Sequence, residues 1–226
     1  MLWEVLALDK IRVIYEKTGR ARYISHLDLY RCMQRTLRRA KLPVHYTEGF
    51  NPHQYLVFAL PLSLGFESTC EVLDFALDET IPFEEVKARL DAALPEGLRV
   101  VSIDVPKRKQ TDIAWSDYTV ILQTDAPAQL KAAIEAMMAS DEIITRKKNK
   151  KKQMVEVNLR PSIASCDCRE TDGSVELKLR LPAGTQTNIN PTLLCNAIAE
   201  TEGNPDFSVY RVCRTKIICA DGEEFF

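Results

Sequence analysis

Arg22–Ser68, RYISHLDLYRCMQRTLRRAKLPVHYTEGFNPHQYLVFALPLSLGFES, runs from a basic amphipathic segment through a polar, aromatic loop into a strongly apolar stretch. Ser25 and Asp28 have the S-x-x-D spacing of a capping box. The hydroxyl can accept a free first-turn amide while the carboxylate sits at the positive helix end. This predicts a helix that begins near His26 and covers Leu27 to Ala40. Leu29, Met33, Leu37 and Ala40 recur at three and four residues and form a packing stripe, while Arg31, Arg35, Arg38 and Arg39 cluster on another side. Arginine makes up that second stripe, and its planar fork binds phosphate oxygens two at a time. The stripe reads as a phosphate-facing surface, against the plainer reading of a solvated helix face.

Outward from this stretch, one order of elements occurs twice. Arg12–Tyr15 reads as a strand, Leu27–Ala40 as a helix, Tyr55–Leu60 and Glu71–Leu77 as strands, Phe83–Leu94 as a helix between prolines, and Leu98–Val105 as a strand. Tyr118–Leu122 then starts a second round, with a helix over Ala128–Met138, strands between Glu142 and Leu181, a helix over Leu193–Glu200 and a last strand over Val209–Cys219. The expected fold is α+β, two tandem ferredoxin-like (β-α-β-β-α-β) halves with antiparallel sheets. The halves are expected at residues 1–106 and 115–226, joined by the polar linker KRKQTDIA, Lys107–Ala114. The second half carries an extra hairpin, whose tip RKKNKKK places six cations in the seven residues Arg146–Lys152. Asp172-Gly173 between alternating segments predicts a tight turn.

With 226 residues, of which 46% are hydrophobic, the chain can bury one large core or two small ones without disulfides or metal. No apolar run approaches the ~18 residues of a membrane span, and the start MLWEVLALDK lacks the features of a signal peptide, so a cytoplasmic protein is expected with no membrane partner. Seven scattered cysteines read as reduced thiols, and Cys166-x-Cys168 has no second pair of ligands nearby, so neither metal nor cofactor is expected. The net charge of −2 conceals an uneven distribution: residues 1–53 hold ten basic against five acidic side chains, and residues 54–104 hold three against ten. A local basic surface suffices for a polyanion partner, so the near-neutral total does not exclude one.

SHLDL, RTLRRAKLPV, YTEGFNPH and FALPLSLGFES, followed by VNLRP at Val157–Pro161 and NINP at Asn188–Pro191, closely resemble the radical-SAM-linked protein family. That family is a bacterial domain of unknown function found beside or fused to radical SAM enzymes. The resemblance covers nearly the whole chain and is densest over residues 11–80. It implies a partner radical SAM enzyme encoded nearby, and it alone gives Arg160 a ligand role. The C-x3-C-x2-C motif of the radical SAM enzymes themselves is absent from this chain.

Three readings of function follow. The first is a non-catalytic RNA-binding or substrate-presenting partner of a radical SAM enzyme in tRNA or rRNA modification. Arg31, Arg35, Arg38, Arg39, Lys147, Lys148, Lys150, Lys151, Lys152 and Arg160 would hold backbone, while Asn51, His53 and Tyr55 meet a base. Phe50 is expected to anchor its loop in the core. The second is an endoribonuclease in which His26 or His53, with Asp28, moves a proton. The third is a protein-interaction adaptor that docks through the acidic residues between 67 and 96.

Overall fold

The computed structural model describes residues 9–148, 153–185 and 187–226. The chain divides into two compact units, one reaching to Gln110 and the other spanning Thr111–Phe225. Its fold is mixed α+β, and the strand pairings described within each unit are antiparallel.

The first unit contains β1 (Asp9–Lys17), α1 (His26–Arg39), β2 (Leu56–Phe58), β3 (Glu67–Leu77), α2 (Phe83–Ala93) and β4 (Leu98–Asp104). Pairing gives the sheet order β4-β1-β3-β2. Alternation along β1 and β3 sends Ile11, Val13, Tyr15, Leu73, Phe75 and Leu77 to one face, where they meet Leu29, Met33 and Leu37 of α1 and Val86 and Leu90 of α2. The apolar stripe of α1 is thus consumed by the core, which turns its arginines outward. Opposite charges close the ladder where Arg12 meets its register partner Asp74 in a two-pronged ion pair of 2.8 and 2.7 Å, with a third bond to the Arg108 carbonyl.

The second unit contains β5 (Ile113–Gln123), α3 (Pro127–Ala139), β6 (Ile144–Lys148), β7 (Met154–Asn158), β8 (Ser165–Thr171), β9 (Ser174–Pro182), α4 (Pro191–Glu200) and β10 (Ser208–Cys219). Its sheet order is β10-β5-β9-β8, and β6 and β7 form a separate two-stranded ribbon. Tyr118, Val120 and Leu122 stand directly opposite Leu179, Leu177 and Val175, and all six are buried. Asp172-Gly173 is the two-residue connection of β8 to β9, with Gly173 at φ +64°. The linker expected over Lys107–Ala114 is shorter than that. Gln110–Asp112 form a 3-10 turn, and Ile113 and Ala114 already belong to β5 because Ile113 is buried.

Candidate functional site

The cap on α1 forms as its residue types require. Ser25 Oγ accepts from the Asp28 amide at 3.2 Å and contacts the Asp28 carboxylate at 2.7 Å. At the other end the helix closes with a Schellman arrangement. The Lys41 amide donates to the Arg38 carbonyl at 3.1 Å and the Leu42 amide to the Leu37 carbonyl at 3.3 Å, with Lys41 held at φ 53°. These two ends fix the rotation of the helix, so that Asp28, Arg31, Cys32, Arg35 and Arg39 line a shallow groove completed by Pro95, just beyond α2.

The four arginines do different work. Arg31 pairs with Asp28 at 3.2 Å, one turn back on the exposed surface. Arg35 is exposed and has no hydrogen-bond or ion-pair partner among the described residues. Arg38 bonds the Gln34 carbonyl of its own helix at 3.4 Å. Arg39 donates to the Ala93 carbonyl at 2.8 Å and so neutralises the end of α2, a bracing role that local spacing does not reveal.

Residues 45–55 fold back on themselves. The Thr47 amide donates to the His53 carbonyl at 2.8 Å and the Tyr55 amide to the His45 carbonyl at 3.1 Å. His53 Nδ1 lies 3.0 Å from Thr47 Oγ1 and 3.2 Å from the Asn51 carbonyl oxygen. A carbonyl can only accept, so that contact puts the proton on Nδ1 and leaves the lone pair of the neutral ring on Nε2. Asn51, His53 and Tyr55 are exposed at this turn. Phe50 corrects the sequence expectation: it is not a core anchor but the most exposed large apolar side chain among the described residues. Leu42 and Val44 just before the loop are buried in the core, whereas Gly49 at φ +116° followed by Asn51-Pro52 turns the chain where Phe50 sits exposed.

Other candidates are distributed through both units. His26, exposed at the start of α1, meets Phe58 edge to face at 5.3 Å, and His45 contacts Asp78 at 2.8 Å. Lys147 and Lys148 lie on β6, while Lys150, Lys151 and Lys152 fall outside the described residues. Arg160 begins a 3-10 turn that is organised by Asn158, whose Oδ1 accepts from the Arg160 and Ile143 amides, both at 3.0 Å. Asn190 caps α4 in a similar way through the Thr192 amide at 2.9 Å. Two asparagines of the VNLRP and NINP motifs therefore have structural duties.

Much of the acidic middle block is committed within its own unit. Glu67 and Glu71 are buried, Asp74 pairs with Arg12, Glu85 with Arg89, and Asp91 with Lys87 and the Val100 amide. Among the described residues no group of three or more His, Cys, Asp or Glu side chains is placed to hold a metal ion. Cys166 and Cys168 are half-buried on β8. Burial, reinforced by Cys168 and Asp167, pushes the Cys166 thiol up to about 12, and burial, reinforced by Glu135, pushes Cys168 up to about 11. Both thiols therefore hold their protons near pH 7. No helix among the described residues is long and apolar enough to cross a membrane.

Residues 10–191 match the family described as an uncharacterized protein conserved in bacteria (DUF2344), and the chain belongs to that family. The family description names no radical SAM enzyme. No curated protein is significantly similar to the chain in sequence. Among solved structures, the chain resembles one in a crystal structure of a Cbf5-Nop10-Gar1 complex, with a TM-score of 0.49 and 13% identity over 91% of this chain and 48% of that one. It also resembles one in a structure of an H/ACA RNP bound to a substrate RNA containing 2'-deoxyuridine, with a TM-score of 0.47 and 12% identity over 92% of this chain and 47% of that one. The chain thus spans about half the length of these structures.

Proposed function

We propose that the chain is a non-catalytic RNA-binding protein of the cytoplasm that presents a tRNA or rRNA substrate to a radical SAM enzyme encoded nearby. In this reading both units are ferredoxin-like frames, and the first carries the principal contact surface. One observation carries the RNA part: the α1 groove offers Arg31, Arg35 and Arg39 side by side, and its single carboxylate, Asp28, is already paired with Arg31. Such a groove suits phosphate oxygens, which accept two bonds from each guanidinium. Lys147, Lys148, Lys150, Lys151, Lys152 and Arg160 add backbone contacts. The enzyme partner rests on the resemblance of SHLDL, YTEGFNPH and FALPLSLGFES to the radical-SAM-linked family.

The test measures affinity for a fluorescent tRNA-sized RNA over a salt series. Arg31→Glu with Arg35→Glu is expected to weaken binding on the order of a hundredfold and to flatten the log K against log salt slope by about 2. Reversing Lys150, Lys151 and Lys152 should flatten it by about 2 to 3 units. Lys131→Glu on α3, whose lysine already pairs with Glu135, is the control expected to change little. Unchanged binding in the double arginine variant would refute the groove.

The tautomer of His53 supports a second reading, in which Nε2 acts as a general base on a ribose hydroxyl. It requires multiple-turnover RNA cleavage by the isolated protein, reduced on the order of 10² to 10⁴ in His53→Ala or His26→Ala. Absence of cutting by the wild type rejects it.

A further inference from the structure

We infer that the Gly49–His53 turn is a base-stacking wedge, in which the Phe50 ring covers the face of an unpaired RNA base while Asn51 and His53 meet its edge. This rests on the RNA-binding reading above and narrows it from polyanion to unpaired RNA, whether a single strand or a base turned out of a helix.

Phe50 is fully exposed, although exposure leaves its apolar ring in water with no benefit to the fold. The segment that carries it is tied down rather than loose. The Thr47 and Tyr55 amides close the neck, while the His53 amide and ring both bond Thr47 Oγ1, at 3.2 and 3.0 Å. Holding an aromatic ring outward on a braced turn reduces the ordering cost that a partner would otherwise impose on binding. The neighbours select among partners. Tyr46 and Tyr55 are about half exposed at the base of the turn, and Asn51 and His53 are exposed on the same turn as Phe50, one with an amide and one with an imidazole. An aromatic face beside groups that donate and accept is how unpaired bases are held, since a base offers a π-face and a hydrogen-bonding edge together. A purely apolar protein pocket would leave the amide and the imidazole desolvated and unmatched.

The experiment compares wild type, Phe50→Ala, Phe50→Trp and the Arg31→Glu, Arg35→Glu double variant on a single-stranded mixed-sequence RNA and on a fully paired RNA of the same length, with thermal unfolding followed alongside. Phe50→Ala is expected to weaken single-strand binding about five- to a hundredfold, to leave duplex binding and the unfolding midpoint unchanged, and Phe50→Trp to restore affinity. If Phe50→Ala binds both RNAs like wild type while the arginine variant fails, the wedge is refuted, the groove stands, and the ring becomes a protein-contact residue. If the arginine variant binds like wild type while Phe50→Ala fails, the groove falls and the wedge stands. A wild type that binds neither RNA overturns both.

Discussion

The two units place an arginine and an aspartate at equivalent points of their sheets, yet with the charges exchanged. Arg12 on β1 faces Asp74 on β3, whereas Asp117 on β5 faces Arg180 on β9, and both pairs are two-pronged. Their surroundings differ more than their geometry. The Arg12 side chain is 3% exposed and that of Arg180 is 40% exposed. A ladder position of this kind demands complementary charge and leaves open which strand carries which sign. What the pair contributes is then decided by water. The first helices diverge in the same manner. α1 exposes Arg31, Arg35, Arg38 and Arg39, whereas on α3 the lone basic residue, Lys131, is cancelled by Glu135. The first helix of one unit thus carries a cluster of exposed arginines that the first helix of the other lacks.

The largest effect is expected from breaking the sealed pair. Arg12→Ala strands Asp74 in a mostly dry site and should cost about 3–5 kcal/mol in urea unfolding, whereas Arg180→Ala should cost about 0.5–1 kcal/mol. The exchange variant Arg12→Asp with Asp74→Arg, which copies the polarity of the second unit, should be clearly more stable than either single change. If it is not, the sign of the pair is fixed by its surroundings and the equivalence fails.

Alkaline pH should expose a weakness that β8 shares with Cys195 of α4, whose thiol burial also pushes up to about 11. Thiols raised from 9.0 to about 12 and about 11 bind their protons more tightly in the folded chain, so their contribution is complete below about pH 9 and is lost as pH climbs towards 11. Unfolding midpoints between pH 8 and 10.5 should fall less in Cys166→Ala with Cys168→Ala than in the wild type. The smallest effect belongs to the end of α1. Lys41 occupies the left-handed region at φ 53°, and Lys41→Gly should stabilise the first unit by about 0.5–1 kcal/mol, read as a rise in its thermal midpoint.

Local chemistry made several of these features legible. Ser25, Asp28 and the spacing of Leu29, Met33 and Leu37 place α1 within a residue of where it lies, and Asp172-Gly173 marks its turn. The arginine stripe could be read because the core claims the opposite side of the helix. Phe50 departs from the expectation because ring size speaks for burial, while the backbone turn around Gly49 and Asn51-Pro52 leaves the ring exposed. Gly49 and Pro52 were the available signal that the chain turns there. Long-range bonds left no such mark. The brace from Arg39 to Ala93 spans 54 residues and the Arg12–Asp74 pair spans 62, and neither partner announces the other in sequence.

The neck of the β6–β7 ribbon has a consequence for how this chain can vary. The Leu159 amide donates to the Ile143 carbonyl at 2.8 Å and the Ile143 amide to Asn158 Oδ1 at 3.0 Å, so the polypeptide leaves and re-enters the second unit at one point. Doubling the length of a closed excursion costs only about 0.6 kcal/mol. Beyond Thr145, the last residue of β6 described as buried, the excursion can lengthen or shorten while the four-stranded sheet keeps its register. The ribbon is a place where the lineage can experiment.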